Sequence, residues 1–150
     1  EIPDFIELTR EEDIHVRFIE LMPVGDPFFS NRHYLSSDVI WEKFPDLQPV
    51  PDNGTGSSTV YYEKPGFKGK IGLISPISHK FCQDCNRLRL TVDGKIRVCL
   101  HSQEEINVIN PFRRGEDIRP LITRAILSKP SGHNIENGIH LEENMIQIGG

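Results

Sequence analysis

Three cysteines constrain this chain more than any other feature. Cys82 and Cys85 form a C-x-x-C pair, Cys99 follows after thirteen residues, and the 150-residue sequence holds no fourth cysteine. An odd count that includes a C-x-x-C argues against a disulfide framework and for a reducing compartment, so a cytoplasmic protein is expected. Three thiolates can grip a metal centre and leave one coordination position open. That vacancy separates a site that binds substrate from one that only staples a fold. After the second thiol the chain reads Cys85-Asn86-Arg87-Leu88-Arg89-Leu90, with two guanidiniums beside the candidate metal. The pairing suggests an anionic ligand that also reaches the metal.

Spacing alone leaves the metal open. A redox dithiol of the thioredoxin kind would precede a helix, whereas a strand hairpin follows here. Structural zinc wants four ligands, and His79 or His101 would complete a Cys3His set. A 4Fe–4S cluster held by three cysteines keeps one iron free for a ligand. On this ground zinc stands slightly ahead.

The hairpin register can be worked out from the pattern. Arg87 to Thr91 and Lys95 to Cys99 each alternate polar and apolar, and Asp93-Gly94 marks the turn. A two-residue loop would set Leu90 against Arg97. A loop of Val92, Asp93 and Gly94 instead pairs Leu90 with Ile96 and Leu88 with Val98, with the glycine in the left-handed position of a bulge. Slipping by one residue turns every side chain over, so the apolar match selects the second register. It puts Arg89 opposite Arg97 and Arg87 opposite Cys99. Like charges face to face ask for a counter-ion.

Elsewhere the punctuation is plainer. Ile2, Phe5, Ile6 and Thr9 share a helical face, and Ile14 to Met22 is a short apolar run expected to form a strand of a parallel sheet covered on both sides. Arg17 and Glu20 interrupt that run, either paired within the sheet or placed for a ligand. Ser36-Ser37-Asp38 starts a helix that ends at Pro45. Thr59–Tyr62 and Lys70–Ser75 read as strands joined around Pro65-Gly66, and residues 50–58 as a flexible connection. Ser102-Gln103-Glu104-Glu105 has the form of a capping box, so a short helix is expected there. Ile118, Leu121, Ile122, Ala125 and Ile126 make a helical stripe closed by Lys129-Pro130.

The totals fit an ordinary globular protein, with 37% hydrophobic and 26% charged residues. No apolar run approaches the ~20 residues needed to span a membrane, so none is expected to be crossed. A formal net charge of −5 makes general nucleic-acid binding an unexpected role. The basic residues gather locally, at Lys80, Arg87, Arg89, Lys95 and Arg97. The opening Glu1-Ile2-Pro3-Asp4 lacks an initiator methionine and starts within an element, so a fragment of a longer protein is expected.

The run from Cys82-Gln83-Asp84-Cys85-Asn86-Arg87-Leu88-Arg89-Leu90 through Asp93-Gly94-Lys95 to Cys99-Leu100 resembles the second cluster motif of the GTP 3′,8-cyclase family, radical S-adenosylmethionine enzymes of molybdenum cofactor biosynthesis. Val16-Arg17-Phe18-Ile19-Glu20-Leu21-Met22-Pro23, the Lys129-Pro130 and His133 element, and the Gly149-Gly150 end resemble the family too. The resemblance implies an α/β to α+β fold. Residues 1–25 would be the last helix and strand of an incomplete barrel. Residues 26–150 would be a C-terminal region that binds the cluster and GTP, with the motif on a β-hairpin. It implies that Cys82, Cys85 and Cys99 ligate a 4Fe–4S cluster with an open iron, and that Arg87, Leu88 and Arg89 line the GTP site. Met22 and Arg17 would lie at S-adenosylmethionine, and Gly149 and Gly150 would reach the active site and support catalysis. In the family a radical from S-adenosylmethionine takes a ribose hydrogen of GTP, and a cyclic pyranopterin monophosphate synthase acts on the product. A homodimer is compatible with this reading. The family's other cluster motif, C-x-x-x-C-x-x-C, is absent from this sequence. The chain alone is therefore not expected to be active. The rival reading is a zinc-stapled Cys3His binding module without enzymatic activity.

Overall fold

Lys70–Ile74 alternates nothing: Ile71 and Leu73 are 0% and 2% exposed and the glycine between them is also buried. A strand buried on both faces must lie inside a sheet. In the computed structural model, which describes residues 1–24, 32–51, 58–133 and 135, it does so. Gly149 and Gly150 lie outside the described residues, as does most of the connection at 50–58.

The first of two units comprises Glu1–Met22 and His33–Cys85. It contains α1 (Ile2–Glu7), β1 (His15–Ile19), α2 (Asp38–Lys43), β2 (Gln48–Pro49), β3 (Val60–Glu63) and β4 (Lys70–Ile74). The sheet order is β1-β4-β3-β2, with β1 parallel to β4 and the other pairs antiparallel. The parallel strand expected at 14–22 is therefore present, but shorter. It is not covered on both sides. Val16 and Phe18 are half-buried, while His15, Arg17 and Ile19 are exposed on the opposite face. The physical reason is position: β1 is an edge of this sheet among the described residues, and one face of it carries polar side chains. Ile6, Ile40, Ile71 and Leu73 form the core, with Ile2 of α1 and Val39 and Trp41 of α2 packed against it.

The second unit comprises Pro23–Arg32 and Asn86–Gly150. Its sheet is β5 (Arg89–Leu90), β6 (Lys95–Arg97) and β7 (Glu105–Asn107), all antiparallel, followed by α3 (Ile109–Arg113) and α4 (Arg119–Leu127). The register is the one selected by the apolar match, Arg89 with Arg97 and Leu90 with Ile96. Gly94 has φ +74, and a Cβ there would meet Ile109 Cβ at 2.3 Å, so glycine is required by both torsion and space. Its carbonyl accepts from the Val108 and Ile109 amides at 3.1 and 3.0 Å, which ties the turn to the start of α3. Ile96, Val98, Val108 and Ala125 form the core. Leu90 is 68% exposed even though its partner Ile96 is buried, and Ile126 of the expected apolar stripe is 53% exposed. The α4 face turned inward is carried by Ala125, with Leu121 and Ile122 beside it.

The helix expected from Ser102-Gln103-Glu104-Glu105 does not form. The Ser102 hydroxyl accepts from the Glu104 amide at 3.1 Å, a local turn, and Glu105 begins β7. A cross-strand partner explains the outcome. Glu105 faces Arg97, which is 4% exposed, and its carboxylate accepts from Arg97 Nε at 2.7 Å and Lys95 Nζ at 2.7 Å. A buried guanidinium needs a carboxylate far more than a helix end needs a cap. Lys95 first, then Arg97, hold the Glu105 carboxyl below its ordinary range. No helix among the described residues is long and apolar enough to cross a membrane. We expect Glu105→Ala to destabilise the protein by about 3 kcal/mol, because the buried Arg97 guanidinium loses the carboxylate that its Nε donates to. Replacing Arg97 and Glu105 together by Met and Leu should recover most of that loss, as measured by urea unfolding.

Candidate cysteine and arginine site

Cys82 and Cys85 bracket a single 3-10 turn, Cys82–Asp84, closed by a bond from the Cys85 amide to the Cys82 carbonyl at 3.3 Å. A C-x-x-C needs such a turn to bring two sulfurs to one side, and this pair belongs to the first unit. Cys99 belongs to the second, just after β6, where it packs partly against Val98 and its core neighbours. Its carbonyl accepts from the Ser102 amide at 3.1 Å, so Cys99 opens a tight turn. None of the three cysteines is in a disulfide, and all three are half-buried. Among the described residues, no group of three or more His, Cys, Asp or Glu is gathered to hold a metal ion.

The donor set nevertheless suits an iron–sulfur group in kind, since three reduced thiols with no disulfide are what such a group ligates. A second observation comes from the turn that Cys99 opens. His101 has both ring nitrogens buried without a hydrogen-bond partner. Burial, and then the neighbouring His133, push its imidazole down to about 4. A neutral imidazole carries one donor and one acceptor, and leaving both unmet is costly. A group bound at Cys99 that brings acceptor atoms would satisfy the donor. A Cys3His zinc site would draw its histidine from His79 or His101. His79 Nε2 is engaged with Asp38 Oδ1 at 2.7 Å and its ring stands edge-on to Trp41, so that side chain is already committed.

The loop leading to the C-x-x-C is held by Glu20, at the carboxyl end of β1. Its side chain is 4% exposed and, among the described residues, has no cation beside it. Instead Oε2 accepts from the Ile77 and Ser78 amides at 2.9 and 3.0 Å, and Oε1 from the Ser37 amide at 3.0 Å and from the Ser78 hydroxyl. Burial pushes this carboxyl up. The Ser78 hydroxyl and the Ser37, Ser78 and Ile77 amides more than offset that, and the net shift is downward. The Glu20 carboxylate is not paired within the sheet: its partners belong to the start of α2 and to the turn after β4. The partners are amides, which no side-chain pattern reveals. Arg17, by contrast, is exposed, with its guanidinium 5.8 Å from the Tyr61 ring. It stands opposite Gly72, where an added Cβ would meet Arg17 Cγ at 3.0 Å and Tyr61 Cε1 at 3.1 Å. Met22 is half-buried three residues beyond β1.

Across the small sheet, Arg89, Arg97 and Glu105 form one row. The counter-ion that the facing arginines ask for is thus supplied to Arg97 from β7. Arg87 is exposed, and Leu88 and Arg89 are half-buried. Lys129, singled out in sequence only as part of an element, donates to the carbonyls of Arg87 and Val98.

A family model described as Molybdenum Cofactor Synthesis C matches residues 14–135. The chain is 47% identical over 152 residues to the GTP 3′,8-cyclase of Peptoclostridium acidaminophilum, covering all of this chain and 47% of that protein. It is 41% identical over 156 residues to the GTP 3′,8-cyclase of Moorella thermoacetica, covering all of this chain and 48% of that one. It is also 37% identical over 142 residues to molybdenum cofactor biosynthesis protein 1 of Dictyostelium discoideum, covering 89% of this chain and 22% of the other. The chain thus spans about half the length of the two cyclases, 47% and 48%.

The Glu20 geometry has a pH consequence. A carboxyl held below its ordinary value in the folded state adds stability above that value, and the contribution is lost as pH falls through the folded-state pKa. Glu20→Gln should cost about 2 kcal/mol at pH 7, since the amide cannot match the charge-assisted bonds. The loss should shrink as the pH is lowered to 3, below the ordinary glutamate value of about 4.3. Urea unfolding of both proteins at the two pH values checks this, and an equal loss at both contradicts it.

Proposed function

The chain belongs to the Molybdenum Cofactor Synthesis C family, and we propose that it is the cluster- and GTP-binding part of a GTP 3′,8-cyclase. The observation that carries this reading is the motif's arrangement. Along the sequence Cys82, Cys85 and Cys99 bracket Arg87, Arg89 and the β5–β6 hairpin, in a chain matching cyclases along its whole length. In this reading Cys82, Cys85 and Cys99 hold a 4Fe–4S cluster. When bound, that group supplies an iron with a vacant position for a donor atom of the guanine.

The chain's own residues do the rest. Arg87 and Arg89 receive the triphosphate, for which guanidinium forks suit in geometry and charge. Leu88, between them, offers an apolar contact to the nucleotide. Glu105 neutralises Lys95 and Arg97 and so keeps the sheet's permanent charge from rising without a ligand. Met22 follows the carboxyl end of β1, whose partner is parallel and where ligands collect in α/β proteins, Arg17 stands at the middle of that strand, and in this reading both meet S-adenosylmethionine. Strand β1 would be the last strand of the partial barrel, and residues 26–150 the C-terminal region. Gly149 and Gly150 would approach the reacting nucleotide, which their lack of side chains permits. Turnover belongs to the whole enzyme, in a cytoplasmic setting, and the cyclic product passes to a synthase that completes the pyranopterin.

Anaerobic reconstitution with iron and sulfide tests the reading directly. The expected result is a brown, oxygen-sensitive protein with about four irons per chain, whose spectrum changes on adding GTP. A colourless protein retaining one zinc overturns it. In the reconstituted protein, Arg87→Ala and Arg89→Ala should each weaken GTP binding about tenfold, the loss of one charge-assisted contact, with iron content unchanged. Unaltered GTP affinity in both variants, by calorimetry, removes the phosphate role.

A further inference from the structure

The β5–β6 ladder stops at Arg89 and Arg97. Beyond it the two arms of the hairpin are joined by a side chain from elsewhere. Lys129, half-buried just after α4, donates from Nζ to the Arg87 carbonyl at 2.7 Å and to the Val98 carbonyl at 3.0 Å. The two carbonyls lie on opposite arms, and the ammonium bridges them where interstrand amides no longer do. The Val98 carbonyl belongs to the peptide that carries the Cys99 nitrogen, so the cation is fastened to the backbone of that cysteine. Four residues after Lys129, His133 is buried against His101, with ring centroids 5.5 Å apart. His101 sits within the turn that Cys99 opens. The 129–133 segment therefore braces Cys99 from both sides, through Val98 before it and His101 after it.

We propose that Lys129 is a positioning residue for the Cys99 thiolate, holding the mouth of the hairpin at fixed width and placing a permanent positive charge beside the group that Cys99 ligates. This rests on the cluster reading above. Its chemistry is that of outer partners generally: they orient a ligand and tune what it binds, and losing one costs about 10–100-fold in metal affinity. A cation near an anionic cluster also favours the reduced form, because net charge is one of the levers on a cluster's potential.

The test uses the 150-residue chain, reconstituted anaerobically as wild type, Lys129→Met, Lys129→Gln and Lys129→Arg. Lys129→Met should release iron to a chelator about tenfold faster than wild type, with a more negative reduction potential. Lys129→Arg, which keeps the charge, should hold the wild-type potential. Lys129→Gln keeps a donor without the charge, so its potential should fall even where its iron release is slower than that of Lys129→Met. Should Lys129→Met fail to fold by circular dichroism, the Gln and Arg pair decides alone. A wild-type potential and release rate in every folded charge-removing variant overturns the role of Lys129 while leaving the cluster reading intact. A wild-type chain that takes up no cluster overturns both.

Discussion

A buried carboxylate held by amides and a hydroxyl organises the first unit. Glu20 ends β1, and its two oxygens take amides from the start of α2 and from the turn that follows β4. Isolated burial of such a charge would be prohibitive. Here several donors replace its water shell, and each comes from a segment that would otherwise leave an amide unmet. The helix start at Ser37 has no side-chain cap, since Glu20 serves in its place. The turn at Ile77 and Ser78 is drawn to the same carboxylate, and four residues after Ser78 the chain reaches Cys82. One acid thus sets strand, helix and cysteine-bearing loop against one another.

The second unit rests on the opposite charge. Arg97 is buried, and its guanidinium is held by Glu105 of the next strand. This pair explains why β7 exists where local capping chemistry favours a helix. It also accounts for the charge of the hairpin. A buried ion pair adds little net stability but is costly to break on one side, which makes it a device for fixing register more than for raising stability. Register matters here because a one-residue slip would exchange the faces of Arg89 and Leu90 and move the arginine away from the row it shares with Arg97.

What could be read from sequence followed the range of the interaction. The hairpin register was legible because alternation and Asp93-Gly94 lie within a dozen residues and agree with each other. The parallel pairing of β1 was legible from its apolar run, yet its one-sided burial was not, since edge position depends on the sheet as a whole. The capping box at Ser102 failed because a cross-strand guanidinium outbid a local amide. Glu20 was visible as an anomaly but not as an organiser: its partners are backbone groups, which every residue possesses. Lys129 stood out only as part of a motif. Its targets are carbonyls thirty-one and forty-two residues away, and carbonyls carry no sequence mark.

The two braces differ in a way that bears on ligand binding. Glu20 offers a carboxylate to amides, and Lys129 offers an ammonium to carbonyls, so both act on main chain and neither bonds a cysteine sulfur. That division suits thiols that must serve a soft metal. A side chain tied by its own hydrogen bonds would have to release them to ligate, whereas a backbone held from behind keeps the sulfur available. None of the three cysteines is in a disulfide, and all three are half-buried. The same logic separates the arginines. Arg97 is spent on Glu105 and has become architecture, while the exposed Arg87 keeps its position one residue beyond the Asn86 that follows the C-x-x-C. Rigidity in this chain is built from the main chain and from buried charges, and chemistry is left to the side chains that those charges do not claim.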